Sequence, residues 1–406
     1  MKVSQAVIFC GGYGKRLLPL TRNTPKPMLL INDIPFLEYL INDIKKKYKI
    51  NRFLLLVGYR NEIIRQYFKK KKIKIDYVYD PPNIKTGERL WNSRKKLDKF
   101  FLLFYSDNLF SFNYKSALSN FLNKKKTINF ILKRKKLGNF NIKKNELTYS
   151  LKRNTRNPYV ELGNMIVERD KLFPILKKNY KSDFKKTIYE IVKNSEYSFN
   201  VHEDIYCSIG DLDRYHKANL YLQKKKILFI DRDGFLTKKL PKAHYVKSWN
   251  DIVFIKQTIN LLKILSKKGF IFIIITNQAG VSRKIVKLSN LKIINKNIKS
   301  LLKKKFNILI KDIFYCIHGW NSKCNCRKPN PGMFYKASEK YNINLSNCLY
   351  IGDDPRDCMA AYNANCKSIF YGKKSKINYL DEKYRPIAIS KNVKYLLNTI
   401  INFYKC

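Results

Sequence analysis

Two aspartates that could carry out phosphoryl transfer, Asp231 and Asp233, come directly after an apolar run at residues 227–230. One carboxylate of such a pair can attack phosphorus and the other can act as general acid and base, provided that a cation offsets their repulsion. An Asp-x-Asp sequence alone is also common in loops. The pair therefore predicts phosphoryl chemistry only if other residues support it.

Later segments supply that support in chain order. Groups that can bind a phosphate through hydroxyl, amide and backbone N–H donors occur at Thr276, Asn277 and Gln278. Fixed positive charge comes next, and then a carboxylate suited to Mg²⁺ at the end of another apolar run, in Arg327, Lys328 and Asp353. The ordered set makes a chance loop pair improbable and predicts a phosphatase.

These four elements resemble the motifs of the haloacid dehalogenase (HAD) superfamily over about residues 225–375. The resemblance implies that Asp231 forms an aspartyl-phosphate and that Asp233 protonates the leaving group and then activates water. It implies that Lys328 steadies the nucleophile and the phosphoryl group. It also implies a Mg²⁺ site formed by Asp231, the Asp233 carbonyl and Asp353.

A cluster of thiols and one imidazole lies between the second and third of these motifs. Three thiolates and an imidazole fill the tetrahedral shell of zinc and leave no position for water, which predicts a structural zinc site at Cys316, His318, Cys324 and Cys326. Residues 316–333 resemble the zinc loop of D-glycero-D-manno-heptose 1,7-bisphosphate phosphatases and of histidinol-phosphate phosphatases. The resemblance implies that this loop presents Arg327 and Lys328 to an anionic part of the substrate.

The first half of the chain has its own candidate anion site. Three of the chain's 15 glycines fall within four residues of one another, directly after an apolar run. Closely spaced glycines let backbone N–H groups approach a triphosphate, and nearby cations can neutralise it. The candidate nucleotide-binding residues are Gly11, Gly12, Gly14, Arg16 and Lys26.

These residues resemble the signature of sugar-1-phosphate nucleotidyltransferases, and the resemblance covers about residues 1–222. It implies that the glycine loop and Arg16 hold a nucleoside triphosphate and that Lys26 stabilises the phosphoryl transition state. It further implies that Gly87 belongs to a base-contact loop, that Asp107 binds Mg²⁺, and that residues 161–164 contact the sugar.

One position departs from that family pattern. Ser208 stands where the second metal-binding aspartate is expected, and a hydroxyl is a neutral, weaker ligand for Mg²⁺. Asp204 or Asp211 could substitute for the missing carboxylate, or the first half could bind ligands without catalysis. The sequence leaves these alternatives open.

The elements that must position these residues are short apolar runs that alternate with longer amphipathic, lysine-rich segments. This alternation predicts an α/β protein with mainly parallel sheets, whose ligands lie beyond the carboxyl ends of the strands. The two sets of motifs predict two domains, a nucleotidyltransferase-like domain at 1–223 and a HAD-type phosphatase domain at 224–406. We expect the tail after about residue 375 to form a closing strand and helix.

The composition shows a large excess of basic residues. The chain has 83 Lys and Arg against 30 Asp and Glu, a formal net charge of +53. These residues are spread over many segments, such as 124–126 and 303–305, rather than concentrated in one stripe, which favours compositional bias over a nucleic-acid surface. No apolar stretch reaches membrane-span length, no secretory signal is recognised at the start, and the cysteine usage favours a reducing cytoplasm.

The two halves together predict consecutive steps of nucleotide-activated heptose synthesis. The leading hypothesis is a Mg²⁺-dependent, zinc-containing phosphatase for heptose 1,7-bisphosphate or a similar sugar phosphate, fused to a nucleotidyltransferase-like domain. Its expected partners are phosphorylated sugars and a nucleoside triphosphate. Histidinol-phosphate phosphatase and a basic nucleic-acid-binding or end-processing protein are the alternatives. The sequence leaves open the sugar, the anomer, the base and the oligomeric state.

Overall fold

Residues 3–71, 73–110, 112–223, 225–241 and 244–405 are described in a computed structural model of the chain. The chain divides into two compact units, Met1–Leu222 (unit 1) and Gln223–Cys406 (unit 2). Residue 224, where the sequence prediction begins the second domain, lies outside the described residues.

Unit 1 contains thirteen described strands and seven α-helices. The strands are β1 (Gln5–Cys10), β2 (Leu30–Ile31), β3 (Ile34–Pro35), β4 (Arg52–Val57), β5 (Asp76–Tyr79), β6 (Phe100–Tyr105), β7 (Asn108–Leu109), β8 (Ile128–Arg134), β9 (Gly138–Lys143), β10 (Glu146–Asn154), β11 (Tyr159–Glu168), β12 (Tyr197–Val201) and β13 (Cys207–Ser208). The helices are α1 (Phe36–Tyr48), α2 (Asn61–Lys70), α3 (Thr86–Asn92), α4 (Tyr114–Lys124), α5 (Arg169–Lys177), α6 (Phe184–Lys193) and α7 (Leu212–Leu222).

The main sheet of unit 1 has nine strands and mixed directions. Its path runs β10-β9-β11-β6-β1-β4-β5, while β8 pairs with β11 and β12 pairs with β8. The central strands β6, β1, β4 and β5 are parallel, whereas β11 runs antiparallel to β6, β8 and β9. The carboxyl ends of β1 and β6 therefore meet at one edge, where the glycine loop and Asp107 follow them.

Alternating side chains explain why β1 is apolar from Ala6 onwards. Ala6 and Ile8 pack into one hydrophobic core with α1, and Val7 and Phe9 pack into a second core on the opposite face. A strand covered on both faces reads as a continuous apolar run rather than an alternating one. The same rule made this strand recognisable in the sequence.

Unit 2 contains six strands and five α-helices among its described residues. The strands are β14 (Ile227–Ile230), β15 (Ile271–Asn277), β16 (Ile310–Cys316), β17 (Leu349–Gly352), β18 (Lys367–Phe370) and β19 (Ala388–Ile389). The helices are α8 (Lys256–Lys267), α9 (Leu288–Phe306), α10 (Gly332–Tyr341), α11 (Pro355–Asn363) and α12 (Val393–Lys405). All strands are parallel, in the order β16-β15-β14-β17-β18-β19.

Strand β14 lies in the middle of the unit 2 sheet and is covered on both faces. Leu228 and Ile230 point into one core, and Ile227 and Phe229 point into the other. The predicted α/β class and the predicted closing strand and helix, β19 and α12, are confirmed. Among the described residues, no helix combines the length and apolar character needed to cross a membrane.

Candidate functional sites

The first candidate site lies at the carboxyl edge of the unit 2 sheet. Asp231 follows β14, and its backbone N–H donates to the Ile351 carbonyl of neighbouring β17 at 2.8 Å. Its side chain is buried, with 8% of its surface exposed. This placement follows from the central position of β14, which leaves the residue after the strand at the floor of a cleft.

Lys328 is the cation closest to Asp231. Its ammonium lies 2.8 Å from Asp231 Oδ1 and 2.7 Å from Asp357 Oδ1. Burial opposes a charge on Lys328, but these two carboxylates raise its pKa above the ordinary value. Burial and the neighbouring carboxylates raise the pKa of Asp231, while Lys328 opposes that shift. The ionised nucleophile therefore depends on positive charge nearby.

Three carboxylates converge at this edge. Oxygens of Asp231, Asp353 and Asp357 lie within 4.8 Å of one another, and Asp353 Oδ1 is buried without a hydrogen-bond partner. A hard divalent cation with oxygen ligands satisfies such a set, so these residues fit Mg²⁺. Gly234 makes the approach possible, because its φ is +105° and a Cβ there would lie 2.2 Å from the Asp353 carboxylate.

The side chain of Asp233 accepts hydrogen bonds from four donor atoms. Arg232 donates from Nε and Nη2, each at 2.9 Å, Gln278 donates at 2.7 Å and Thr237 at 3.2 Å. Burial raises the pKa of Asp233, but Arg232 and the other donors outweigh burial and lower it below the ordinary value. Asp233 is therefore ionised in this arrangement, with its carboxylate turned to these donors.

The predicted phosphate-binding residues separate into different roles. The side chain of Asn277 bonds the backbone of Lys328 twice, accepting from its N–H at 3.0 Å and donating to its carbonyl at 3.2 Å. Asn277 thus positions Lys328. Thr276 Oγ1 accepts from Gln278 Nε2 at 2.9 Å. Of the three residues, Gln278 contacts Asp233 directly, and Thr276 is joined to Asp233 through Gln278.

The predicted zinc ligands come together after β16. Cys316 Sγ lies 3.3 Å from Cys326 Sγ, 3.8 Å from Cys324 Sγ and 3.5 Å from His318 Nδ1. All four donor atoms fall within 4.8 Å of one another. Two sulfurs held about 2.3 Å from one tetrahedral zinc ion are themselves about 3.8 Å apart, so this donor set fits zinc.

The zinc loop also fixes Arg327. Arg327 directly follows Cys326, and its Nη1 donates to the His318 carbonyl at 3.3 Å. Burial lowers the pKa of Arg327, and the nearby Arg356 guanidinium lowers it further. The Arg356 guanidinium is itself paired with both oxygens of Asp354, each at 2.8 Å, so Arg327 is the guanidinium of this loop that we assign to an anionic ligand.

The second candidate site is a cleft of about 620 Å³ in unit 1. Its wall includes residues that the sequence predicted and residues from other loops, namely Gly11, Gly12, Gly14, Lys15, Arg16, Lys26, Thr86, Arg89, Ser106, Asp107, Asp183 and Gly210. The glycine loop after β1 and the turn after β6 thus form one surface. The resemblance to nucleotidyltransferases implies that a nucleotide binds at this surface.

Lys26 and Asp107 form an ion pair in this cleft, with Nζ 2.5 Å from Oδ2. Ser208 pairs with Asn108 in the short ladder of β13 and β7, and its hydroxyl is buried without a partner. No three acidic, histidine or cysteine side chains converge within the described part of unit 1. These residues do not fit a two-carboxylate Mg²⁺ site, because Ser208 is neutral and leaves Asp107 without a second carboxylate.

The two acidic residues that could replace Ser208 each accept a hydrogen bond from a nearby backbone N–H group. Asp211 accepts from the Arg214 backbone at 3.0 Å at the start of α7 and pairs with the Arg214 side chain at 3.1 Å. Asp204 accepts from the Ile205 backbone at 2.7 Å. Neither lines the cleft, whereas Asp183, at the start of α6, does.

Two other predicted positions in unit 1 have different surroundings. Gly87 does not line the cleft, and a Cβ there would lie 2.5 Å from the Ser182 carbonyl, so its role is close backbone packing. Glu161 accepts a hydrogen bond from the Gly163 N–H. Burial raises the pKa of Glu161 to about 7, with Asp107 adding to the shift against two backbone hydrogen bonds.

Sequence reasoning missed Arg89, a buried residue that lines the unit 1 cleft. Its guanidinium donates to four backbone carbonyls that end separate loops and strands, at 2.7 to 3.3 Å, namely those of Gly11, Val57, Asp80 and Pro81. A Cβ on Gly11 would lie 2.3 Å from this guanidinium. The close approach of Arg89 therefore requires a glycine at position 11.

Two family models match separate stretches of the chain. The family described as Nucleotidyl transferase matches residues 5–140, and the family described as Polynucleotide kinase 3 phosphatase matches residues 226–386. Each match falls within one of the two units.

Similar named proteins show which family the chain belongs to. A D-glycero-beta-D-manno-heptose-1,7-bisphosphate 7-phosphatase of Helicobacter pylori is 31% identical over 147 residues, which are 36% of this chain and 83% of the relative. The chain belongs to this phosphatase family. A probable D-glycero-D-manno-heptose-1,7-bisphosphate 7-phosphatase of Thermoplasma volcanium is 35% identical over 128 residues, which are 32% of this chain and 85% of that relative.

Solved structures resemble each of the two units of this chain. A D,D-heptose 1,7-bisphosphate phosphatase from B. bronchiseptica, complexed with magnesium and phosphate, is 24% identical and covers 44% of this chain and 98% of its own, with a TM-score of 0.40. A putative glucose-1-phosphate thymidylyltransferase from Bacillus anthracis is 17% identical and covers 53% and 94%, with a TM-score of 0.47. The two family models and the named relatives, rather than these structures, show a phosphatase unit joined to a nucleotidyltransferase-like unit.

Proposed function

We propose that unit 2 is a Mg²⁺-dependent phosphatase that releases inorganic phosphate from C7 of D-glycero-D-manno-heptose 1,7-bisphosphate. The observation that carries the proposal is the buried Asp231 carboxylate, 2.8 Å from the Lys328 ammonium and next to Asp353 and Asp357. The names of the relatives supply the substrate.

In the first half of the proposed reaction, an oxygen of Asp231 forms a bond to phosphorus while the bond from phosphorus to the sugar oxygen breaks. Lys328 orients Asp231 for this attack. Mg²⁺, when held by Asp231, Asp353 and Asp357, supplies positive charge that offsets the repulsion between the carboxylates and the phosphate. The leaving oxygen takes a proton from Asp233.

Asp233 has to change partners for that first step. As an acceptor of four hydrogen bonds it carries no proton to give, so donation requires it to take up a proton and leave Arg232 and Gln278. In the second half, the ionised carboxylate removes a proton from water as the water oxygen attacks phosphorus. The bond between Asp231 and phosphorus then breaks, which restores Asp231 and releases inorganic phosphate.

The zinc loop has a supporting role in this proposal. Zinc held by three thiolates and one imidazole leaves no position open for substrate or water. The fixed loop holds Arg327, whose guanidinium we assign to the second phosphate of the sugar. Thr276 and Gln278 are assigned to the phosphate that is transferred.

Phosphate release from a panel of substrates tests the proposal. We expect heptose 1,7-bisphosphate to be the best substrate and Asp231→Asn to lower kcat by at least about 1000-fold, since it removes the attacking carboxylate. Ser390→Ala, a loop substitution in the same unit, is the control. The panel includes histidinol phosphate and a 3′-phosphorylated oligonucleotide, and a higher kcat/KM on either would replace the heptose assignment by that alternative.

For unit 1 we propose a nucleotide-binding function. The supporting observation is the cleft in which the glycine loop, Arg16 and Lys26 meet Asp107. A heptose 1-phosphate released by unit 2 is the class of molecule that a nucleotidyltransferase would consume. Because the metal-binding carboxylates are incomplete, no transfer step is assigned to this unit.

A further inference from the structure

Tyr350 is a buried residue of β17 that the proposed phosphatase mechanism does not use. Its side chain is fully buried, and its hydroxyl oxygen lies 2.8 Å from Lys328 Nζ, 3.0 Å from Asp357 Oδ1 and 3.2 Å from the Ile275 carbonyl. A buried phenol needs a single partner to be satisfied. Here all of its partners belong to the site that holds Asp231.

Counting hydrogens shows how the phenol fits this site. The Lys328 ammonium has three hydrogens and no acceptor, and its possible acceptors are oxygens of Asp231, Asp357, Ile275 and Tyr350. Lys328 donates to the phenol oxygen, so the phenol hydrogen goes to Asp357 or to the Ile275 carbonyl. Four hydrogens then meet four acceptors, and the network is closed.

The phenol is the rigid member of this network. Its ring packs edge-on against Phe334, with ring centroids 5.1 Å apart and planes at 89°. The lysine stem has four rotatable bonds, so the acceptors around it determine where its ammonium points. Two carboxylates, Asp231 and Asp357, attract that ammonium at nearly equal distances. The fixed neutral oxygen of Tyr350, 2.8 Å from Nζ, gives the ammonium a third acceptor that holds it in one place.

We propose that Tyr350 is a positioning residue of the phosphatase site. It holds the Lys328 ammonium against the attacking oxygen of Asp231 and steadies the Asp357 carboxylate, without touching substrate or exchanging a proton. The inference rests on the proposed phosphatase function. An apolar side chain could also be buried at this position, as those of Leu349 and Ile351 are at the neighbouring positions of β17. Such a side chain would not restrain Lys328.

The test compares two substitutions that each remove one tyrosine hydroxyl from unit 2. Tyr350→Phe keeps the ring and its packing. Tyr404→Phe is the matched control, because the Tyr404 hydroxyl bonds the Leu349 N–H and the Ile227 carbonyl and does not contact Lys328. With heptose 1,7-bisphosphate and p-nitrophenyl phosphate, we expect Tyr350→Phe to lower kcat about tenfold with KM unchanged, and Tyr404→Phe to leave both unchanged.

Three kinetic outcomes would overturn the proposal. They are an unchanged kcat in Tyr350→Phe, an equal loss of kcat in both variants, and a rise in KM without a change in kcat. A crystal structure of Tyr350→Phe decides the matter without activity, since we expect Nζ of Lys328 to move from its 2.8 Å contact with Asp231. An unchanged contact also refutes the inference. A wild-type chain that hydrolyses neither substrate refutes the proposed function instead.

Discussion

A carboxylate buried among other carboxylates is stable only when hydrogen bonds or a cation balance its charge. The charges of the buried carboxylates in the unit 2 site are balanced in different ways. Asp231 and Asp357 share the Lys328 ammonium, and Asp233 accepts from four donors. Asp353 keeps one buried oxygen without a partner. That oxygen is the clearest place for a metal cation to complete the balance.

His202 is a buried residue of unit 1 whose titration should affect stability. Its ring packs against Phe110 with centroids 5.0 Å apart, and its Nε2 lies 3.3 Å from the Ile205 carbonyl. Burial lowers the pKa of His202 from 6.5 to about 3, with Lys133 adding to the shift. The unfolded chain therefore binds a proton below pH 6.5 that the folded chain refuses until about pH 3.

We predict that this difference costs the folded state about 2 kcal/mol between pH 7 and pH 5. His202→Gln keeps a donor for the Ile205 carbonyl but removes the titrating ring, so its free energy of unfolding should lose this part of the pH dependence. Urea denaturation at both pH values measures the effect. His216→Gln, at an exposed histidine, should keep the wild-type slope. Equal slopes in all three proteins would contradict the prediction.

At the residue scale, sequence reasoning found the groups that sit directly after strands and missed those that act through the fold. Asp231 and Asp353 follow apolar runs, which made them visible. Asp357 was not among the predicted site residues, because nothing in the sequence shows that the first turn of α11 returns it to Lys328. Arg89 was missed because its partners are backbone carbonyls, which no sequence pattern records.

Strands covered on both faces were the elements that the sequence predicted best. The runs that became β1 and β14 are apolar throughout because each faces two cores. The antiparallel hairpin of β9 and β10 was not predicted, because much of β10 is exposed and its polar residues carry no clear period. The mixed character of the unit 1 sheet follows from that hairpin and from β11.

The loop between β16 and α10 is the element that depends most on a metal. Its described residues form no regular helix or strand, and its thiols and imidazole lie side by side. We predict about one zinc per chain in the purified protein and loss of that zinc in Cys326→Ser. Without zinc, Arg327 loses its fixed position, so KM for heptose 1,7-bisphosphate should rise about tenfold or more.

Metal analysis by mass spectrometry and thermal denaturation check the zinc prediction independently of activity. Cys366→Ser is the control, since Cys366 is buried in the same unit and its thiol donates to the Cys348 carbonyl at 3.0 Å. It should keep the zinc of the wild type. A wild-type chain that carries no zinc, or a Cys326→Ser chain that retains it, would refute the structural zinc site.

For the whole molecule, the basic residues that give the net charge of +53 fall into two groups. A few cations are placed at anion sites, namely Arg16, Lys26, Arg327 and Lys328. Many of the remaining lysines lie on exposed faces and at the ends of helices, such as those in the last turn of α9. Their summed field attracts any anion at low ionic strength and selects none. Specificity therefore belongs to the two sites rather than to the charge of the surface.

The final prediction concerns the two units acting in one chain. Supplied with heptose 1,7-bisphosphate and each nucleoside triphosphate in turn, the wild type should release inorganic phosphate from the sugar. It should bind a triphosphate, detectable by calorimetry, yet release no pyrophosphate, because the neutral Ser208 leaves Asp107 without a second metal-binding carboxylate. Ser208→Asp supplies a second carboxylate beside Asp107, and pyrophosphate release should rise at least about 100-fold when Mg²⁺ is added.

Ser208→Asn has nearly the same size as Ser208→Asp but no charge, so it separates the effect of a carboxylate from the effect of volume at this buried position. We expect it to stay inactive. Rapid pyrophosphate release by the wild type would mean that the cleft catalyses transfer without the missing carboxylate, with Asp183 on its wall as the next residue to substitute. Failure of all three proteins to bind any triphosphate would remove the nucleotide assignment from unit 1 and leave the phosphatase assignment of unit 2 intact, because the two sites share no residue.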